Sequence, residues 1–292
     1  MLRRLRALAL IFFAGCGPAP APPAGNLVDD SGNRLTLAAP AARVVSLIPA
    51  TTELVFALGA GDRLVGRTSW CDYPAAAALV PDLGNGIGPN IEAVVAAKPD
   101  LVLLYKSGAN RAAAEQLRGF GIATLELATD RMEDFDRIAR LVGNALGKTV
   151  EAESLVVRTA RELELATALS PSPQHPAPSI FILAWDRPPM TLGRGSFLSE
   201  IVERAGGRNL FDDLATSSAP IAIEAVAARD PDFILVTSLE EPAIAGRVEW
   251  RVVPAVRERR FLRVHGSEFN RPSPRIAEAV RQLAKAIEAA KR

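Results

Sequence analysis

Residues 91–104, IEAVVAAKPDLVLL, align without a gap on residues 223–236, IEAVAARDPDFILV, at a constant offset of 132. Eight of the fourteen positions are identical, and the Pro-Asp pair falls at the same register in both copies. A chain that carries one supersecondary unit twice has to bury it twice, which narrows the fold more than any other feature does. Each copy reads as a short amphipathic helix, a Pro-Asp turn and an apolar, β-branched run suited to a buried strand of a parallel sheet. The expected fold class is therefore α/β, with two Rossmann-like lobes of mainly parallel sheet.

The pattern between the copies predicts how the lobes are joined. An N-terminal lobe over 27–147 opens with a hairpin whose turn is Asp30-Ser-Gly-Asn33, followed by a strand at 43–47. Thr51 or Thr52 is the expected cap of a helix running to Leu58, and βα alternation continues through strands at 64–66, 101–104 and 123–127 and helices at 90–97, 111–119 and 132–146. Residues 100–170 contain no proline, and Ala152, Leu155, Val156, Thr159, Leu163, Ala166 and Leu169 recur at spacings of three and four. This predicts one long backbone helix over 148–170, about 33 Å from end to end. Prolines at 171, 173, 176 and 178 stop it, and a C-terminal lobe over 171–292 begins with a strand at 179–183. Lobes joined by a packed rod are expected to move little relative to one another.

The start of the chain carries an address. Arg3, Arg4 and Arg6 precede the apolar run 7–14 and then Gly15 and Cys16, so residues 1–16 have the order of an export signal. Phe13-Ala14-Gly15-Cys16 resembles the bacterial lipobox, with Phe13 in place of the usual leucine, and makes Cys16 the expected lipidation site. Residues 17–26 have the Pro/Ala-rich composition of an extended tether. No apolar stretch reaches the roughly 20 residues that span a bilayer, so the membrane is expected to be met through the lipid anchor alone. The expected location is the periplasm or cell surface. Losing the three arginines leaves 31 basic against 33 acidic side chains, a balance of −2, which excludes a nucleic-acid binder driven by a basic surface.

Reactive groups are few. Beyond Cys16 the only cysteine is Cys71, read as a small, partly buried apolar residue, and the two histidines, His175 and His265, stand at no metal-ligand spacing from each other or from Cys71. Neither a resident metal nor a cofactor is expected. Gly84-Asn-Gly-Ile-Gly88 has the spacing G-x-G-x-G of a turn rather than a dinucleotide fingerprint, and neither a phosphate loop nor a G-x-S-x-G elbow occurs. Binding without catalysis fits better, in the cleft that such folds open at the C-terminal ends of parallel strands. Trp70, Tyr105 and Trp185 follow predicted strands among Pro, Asp and Ser, which favours contact with a ligand over core packing, whereas Tyr73, next to Pro74, reads as structural.

Several segments carry a family resemblance. Val44-Val-Ser-Leu-Ile-Pro-Ala-Thr-Thr-Glu-Leu54, Ser69-Trp-Cys-Asp-Tyr-Pro74, Asn90-Ile-Glu92, Lys98-Pro-Asp-Leu-Val102 and Ser273-Pro-Arg-Ile276 resemble the periplasmic cobalamin-binding proteins of ABC importers, in the same order along the chain. That branch belongs to the helical-backbone solute-binding proteins, which also include ferric-siderophore and haem receptors. The resemblance implies a ligand-binding set of Trp70, Tyr105, Trp185, Phe269 and Arg271, with Trp70 and Tyr105 facing a corrin and Arg271 near its polar edge. It further implies that Glu92 and Glu224, at equivalent positions of the two copies, dock against an ABC permease dimer with its ATPase subunits. A monomeric carrier with cobalamin or another metal chelate as its transported ligand follows.

Two departures bear on the ligand: Gly86 stands where a tryptophan is expected, and a second tryptophan is replaced near Ser218. A ferric siderophore or haem is thus an alternative ligand. An exported α/β enzyme acting on a small molecule through Asp72, Asp186 or His265 is an alternative function.

Overall fold

The computed structural model describes residues 26–170 and 177–291; the leader with Cys16, tether residues 17–25, His175 and the prolines at 171, 173 and 176 lie outside the described residues. A hairpin of β1 (Leu27–Val28) and β2 (Arg34–Leu35) comes first. Its turn closes because the Asp29 carboxylate accepts the Ser31 and Asn33 amides at 3.0 and 2.8 Å, the Asx arrangement that replaces a backbone turn. The first lobe follows with β3 (Val44–Ser46), α1 (Pro49–Ala57), β4 (Leu64–Arg67), α2 (Ile91–Ala96), β5 (Leu101–Tyr105), α3 (Gly108–Gly119), β6 (Ala123–Leu127) and α4 (Asp134–Ala145). After α5 (Thr149–Ala168), the second lobe holds β7 (Ser179–Ile182), β8 (Trp185–Asp186), β9 (Pro189–Leu192), α6 (Phe197–Arg204), β10 (Arg208–Asn209) and β11 (Ser218–Pro220). It continues with α7 (Ile223–Arg229), β12 (Phe233–Val236), α8 (Pro254–Arg257), β13 (Phe261–Arg263) and α9 (Ile276–Ala290).

The repeat becomes two separate sheets. The first has the order β4-β3-β5-β6 and the second β10-β7-β12-β13, parallel throughout. In both, the second strand in sequence lies at one edge and the third and fourth lie beyond the first. β5 pairs Leu101 with Val44, and β12 pairs Phe233 with Ile180, so the aligned residues occupy matching places. A small antiparallel sheet, β11-β9-β8, is added to the second lobe.

The shared Pro-Asp motif has a structural cause. Lys98 and Asp230, one repeat apart, both take positive φ, 49° and 41°, and each turns the chain out of its helix into the proline. Asp100 then accepts the Ala42 and Arg43 amides at 2.8 and 3.0 Å, and Asp232 accepts the Ser179 amide at 2.7 Å. Each aspartate thus ties its own strand to the start of the neighbouring central strand. The Arg43 guanidinium completes the first junction by donating to the carbonyls of Ala97 and Lys98 at 2.7 and 2.8 Å.

Two helix starts differ from expectation. α1 begins at Pro49 with Ile48 as its cap residue; the Thr51 and Thr52 hydroxyls lie within the first turn and donate to the Ile48 carbonyl at 3.0 and 3.3 Å. Proline pre-sets the first helical φ, which moves the start ahead of the threonines. α3 begins at Gly108, because the Ser107 hydroxyl accepts the Asn110 amide at 3.2 Å; glycine and asparagine hid that turn behind low helix propensity.

α5 has 20 residues, about 30 Å of helix, and packs between α4 of the first lobe and α9 of the second. Its approach to α4 depends on Gly143, where a Cβ would stand 2.4 Å from that of Ala152. The main apolar core runs from β3 and α1 through Ala152, Leu155 and Val156 into β7, α6 and α9. The two lobes therefore share a core as well as a rod. None of the described helices is long and apolar enough to cross a membrane.

Candidate functional site

The C-terminal ends of the strands open on a cleft of about 670 Å³ between the lobes. Leu47 and Ile48 follow β3, Trp70 and Asp72 follow β4, Tyr105 ends β5, and Thr129 and Asp130 follow β6; Thr237 and His265 follow β12 and β13 of the other lobe. This is where open parallel sheets collect ligands. An adjoining recess of about 400 Å³ shares Tyr105, Thr129, Asp130, Thr237 and Asn270 and reaches Leu183, Ala184 and Phe197. The repeat offset pairs Tyr105 with Thr237, so the two walls match in backbone but not in chemistry.

Three of the five expected ligand-binding residues come together here. Trp70 lines the cleft with 71% of its surface exposed, a large apolar platform left open to water. The Tyr105 hydroxyl donates to Asp130 at 2.6 Å. Burial, followed by the hydrogen bond and charge of Asp130, pushes its phenol from 10.0 up to about 12. The Arg271 guanidinium donates to Asp72 at 2.9 Å and to the Ser267 carbonyl at 3.1 Å, and lies 3.7 Å from Glu53. Phe269 is 1% exposed and packs in the core, touching only the adjoining recess. Trp185 lies in β8 outside the lining of both cavities, its indole donating to the Arg187 carbonyl at 2.9 Å.

Behind the cleft lies a set of charges that crosses between the lobes. Glu53 of α1, with its side chain 1% exposed, receives two hydrogen bonds from Arg275, at 3.0 and 2.7 Å. Arg275 also pairs with Glu268, stacks on the Tyr73 ring at 3.8 Å and donates to the Ser267 hydroxyl at 2.8 Å. Burial pulls its pKa down, but the bonds to Glu53 and Glu268 more than offset this and hold it above the ordinary guanidinium value. Tyr73 thus lies against Arg275 and outside the lining of the cleft. The Glu53 signal in the sequence is a carboxylate in an otherwise uncharged helix, PATTELVFA; its partners, more than 200 residues away, leave no local trace.

Asn110, fully buried, is a second residue that sequence patterning passes over. Its side chain donates to the Gly86 and Tyr105 carbonyls at 3.0 and 2.9 Å and accepts the Gly88 amide at 3.0 Å. It thereby fixes the glycine loop to the end of β5. A Cβ at Gly86 would stand 2.2 Å from the Leu47 carbonyl oxygen, so no side chain fits there while the loop keeps this path. Cys71 is 2% exposed, deeper than expected, with its sulfur 3.1 and 3.3 Å from the hydroxyls of Thr52 and Thr68. Asp72 and Asp186 each pair with a different arginine, Arg271 and Arg247, and Asp186 does not line the cleft. Among the described residues no group of three or more His, Cys, Asp or Glu side chains is placed to hold a metal ion.

Glu92 and Glu224 are exposed in the first turns of α2 and α7, without a hydrogen-bond or ion-pair partner among the described residues. Asn90 caps α2 by accepting the Ala93 amide at 3.1 Å, whereas Ala222 gives α7 no side-chain cap. Each helix begins shortly after a loop that lines a cavity, at Asn85–Ile87 and Ser217–Ser218.

Two measurements check this geometry. Arg275→Met, which removes the arginine shared by two buried carboxylates, should cost about 3–5 kcal/mol in denaturant unfolding; a loss below about 1 kcal/mol would mean that the remaining partners, Arg271 and Gln282, or water already meet their charge. Asp130→Asn should lower the Tyr105 titration midpoint from about 12 toward 10.0, followed by absorbance, with only two tyrosines in the chain to resolve. Because the folded pKa is raised, the stability linked to the neutral phenol is complete below pH 10.0 and lost as pH climbs through about 12. An unmoved midpoint would contradict the Asp130 contact.

Comparison with known proteins places the fold. The periplasmic binding protein family model matches residues 44–267. The chain is similar to the "Uncharacterized ABC transporter substrate-binding lipoprotein YvrC" of Bacillus subtilis, 30% identical over 303 residues, covering 96% of this chain and 94% of that one. It is 29% identical over 245 residues to a vitamin B12-binding protein of Photorhabdus laumondii, covering 82% and 86% of the two chains. Its structure superposes on the apo periplasmic heme-binding protein RhuT from Roseiflexus sp. RS-1 with a TM-score of 0.76 and 25% identity, covering 86% and 99%. With its two parallel α/β sheets, shared backbone helix and inter-lobe cleft, the chain belongs to the periplasmic binding protein family.

Proposed function

We propose that the chain is the substrate-binding component of an ABC importer and captures cobalamin or a related corrinoid in the inter-lobe cleft. The observation that carries the ligand class is the state of Arg271, the one Lys or Arg among the residues lining the cleft, which is already engaged by Asp72 with Glu53 close by. A ligand edged with carboxylates, as haem is with its propionates, would meet Asp72 and Asp130 with no free cation to receive it. Two like charges 4 Å apart repel by about 4 kcal/mol at an effective dielectric of 20. A corrin edged with neutral amides incurs no such penalty. It can bury its plane against Trp70 and Tyr105 while hydroxyls and backbone groups meet its rim. Similarity to a protein named for vitamin B12 binding supports this reading; similarity in fold to a haem-binding protein keeps haem or a ferric siderophore as the second.

The rest of the proposed cycle uses the chain's two ends and two tips. Export through residues 1–16 and lipidation at Cys16 would hold a monomeric carrier at the membrane, where tethering raises its concentration beside the importer. Glu92 and Glu224, unpaired on the two lobes, would meet basic side chains on the two halves of a permease dimer served by its ATPase subunits. No reaction, resident metal or cofactor enters this scheme.

Purified protein mixed with cobalamin, haem and a ferric siderophore should retain cobalamin alone through gel filtration, and Trp70→Ala should weaken it about tenfold or more, ~1.4 kcal/mol. Retention of haem in preference to cobalamin would overturn the corrinoid reading. Reversing both charges, Glu92→Lys with Glu224→Lys, should leave ligand retention intact and reduce uptake and ligand-stimulated ATPase activity of the importer at least tenfold; undiminished uptake would refute the docking role.

A further inference from the structure

His265 is the one histidine among the described residues, and it stands exposed in the cleft lining just after β13. The other ionisable side chains of the cleft are engaged: Tyr105 with Asp130, and Arg271 with Asp72. The imidazole makes no hydrogen bond or ion pair among the described residues, which leaves one Lewis base of the cleft without a partner. The chain next to it passes close to a buried carboxylate. Gly266 takes φ +132°, and its missing Cβ would fall 2.2 Å from a Glu268 carboxylate oxygen. Glu268 is itself anchored by Arg275 and by Gln282 at 2.8 Å. The charge network that bridges the lobes therefore lies directly behind the turn from which His265 emerges.

A single imidazole cannot hold a free metal ion, and no cluster of three or more ligating side chains lies among the described residues to help it. It can complete the coordination of a metal whose other positions are already filled by a macrocycle. We propose that His265 is an axial ligand to the metal of the transported chelate, binding cobalt(III) through a ring nitrogen. This rests on the corrinoid reading of the cleft. The step is a ligand exchange: the cobalt–oxygen bond to an axial water breaks, a cobalt–nitrogen bond to neutral imidazole forms, the water leaves, and the metal keeps its oxidation state. A flat chelate gripped between the lobes presents one face to each, with Trp70 and Tyr105 on the first lobe and His265 on the second. The carrier would thus prefer chelates with an exchangeable axial site over those whose axial sites are blocked.

The test uses the purified protein and two cobinamides, one carrying exchangeable axial water and the other two cyanides. Bound to the wild type, the aqua form should show visible bands shifted to those of the adduct made with free imidazole. His265→Ala should lose that shift and at least tenfold in affinity for the aqua form, while weakening for the dicyano form by less than threefold. Unshifted wild-type bands, or equal losses for the two forms, would overturn axial ligation while leaving the corrinoid reading in place. Binding of neither cobinamide would also overturn axial ligation, and failure to retain cobalamin as well would overturn the corrinoid reading with it.

Discussion

The pairing of Glu53 with Arg275 governs the working face of the molecule. Glu53 belongs to the first lobe and is almost completely buried; Arg275, at the start of α9, belongs to the second. A carboxylate so placed is tolerated only when its charge is met, so the lobes are obliged to stay in contact at this point. The consequences spread outward. Arg275 braces Tyr73 and Glu268, and Arg271, four residues earlier, reaches Asp72 in the loop that carries Trp70. The rim of the cleft and its aromatic platform are thus positioned by charges, of which Glu53, Glu268 and Arg275 lie behind the lining while Asp72 and Arg271 form part of it.

Other contacts make the same arrangement stiff. On the far side of the cleft the Phe197 amide donates to the Asp130 carbonyl at 3.0 Å, and Arg131 lies 3.7 Å from Glu200 across the lobes. With the shared core and α5 behind them, two bridges flank one opening. Wide hinge closure would have to break buried pairs and expose apolar surface, so small adjustments cost far less. A preformed cleft of this kind loses little ordering entropy on binding and suits a large, rigid ligand.

The architecture was legible in the sequence because the repeat encodes it locally. The Pro-Asp turn, the left-handed residue before it and the apolar strand after it are all within one short segment, and both copies fold to the same place in their sheets. The proline-free stretch announced α5 for the same reason. The site was legible only in part. Trp70 and Tyr105 reach the cleft because they stand at or just after strand ends, a position that alternation predicts, whereas Arg271 was expected from the family resemblance alone. Phe269 follows the same rule by sequence, but a short helical turn rotates it into the core, and Trp185 is carried aside by a β8–β9 hairpin absent from the first copy. Glu53, Arg275 and Asn110 act through partners distant in the chain or through backbone carbonyls, and neither kind of contact leaves a periodic signature.

The central claim is that charges bridging the lobes hold open a cleft that takes a planar, neutral-edged chelate without being rebuilt. A crystal structure of the complex, with the metal located by its anomalous scattering, tests it most directly. The metal is expected between Tyr105 and Thr237, with Glu53–Arg275 and Asp72–Arg271 still paired. A metal bound elsewhere, or a ligand that has broken either pair to reach its site, would contradict it.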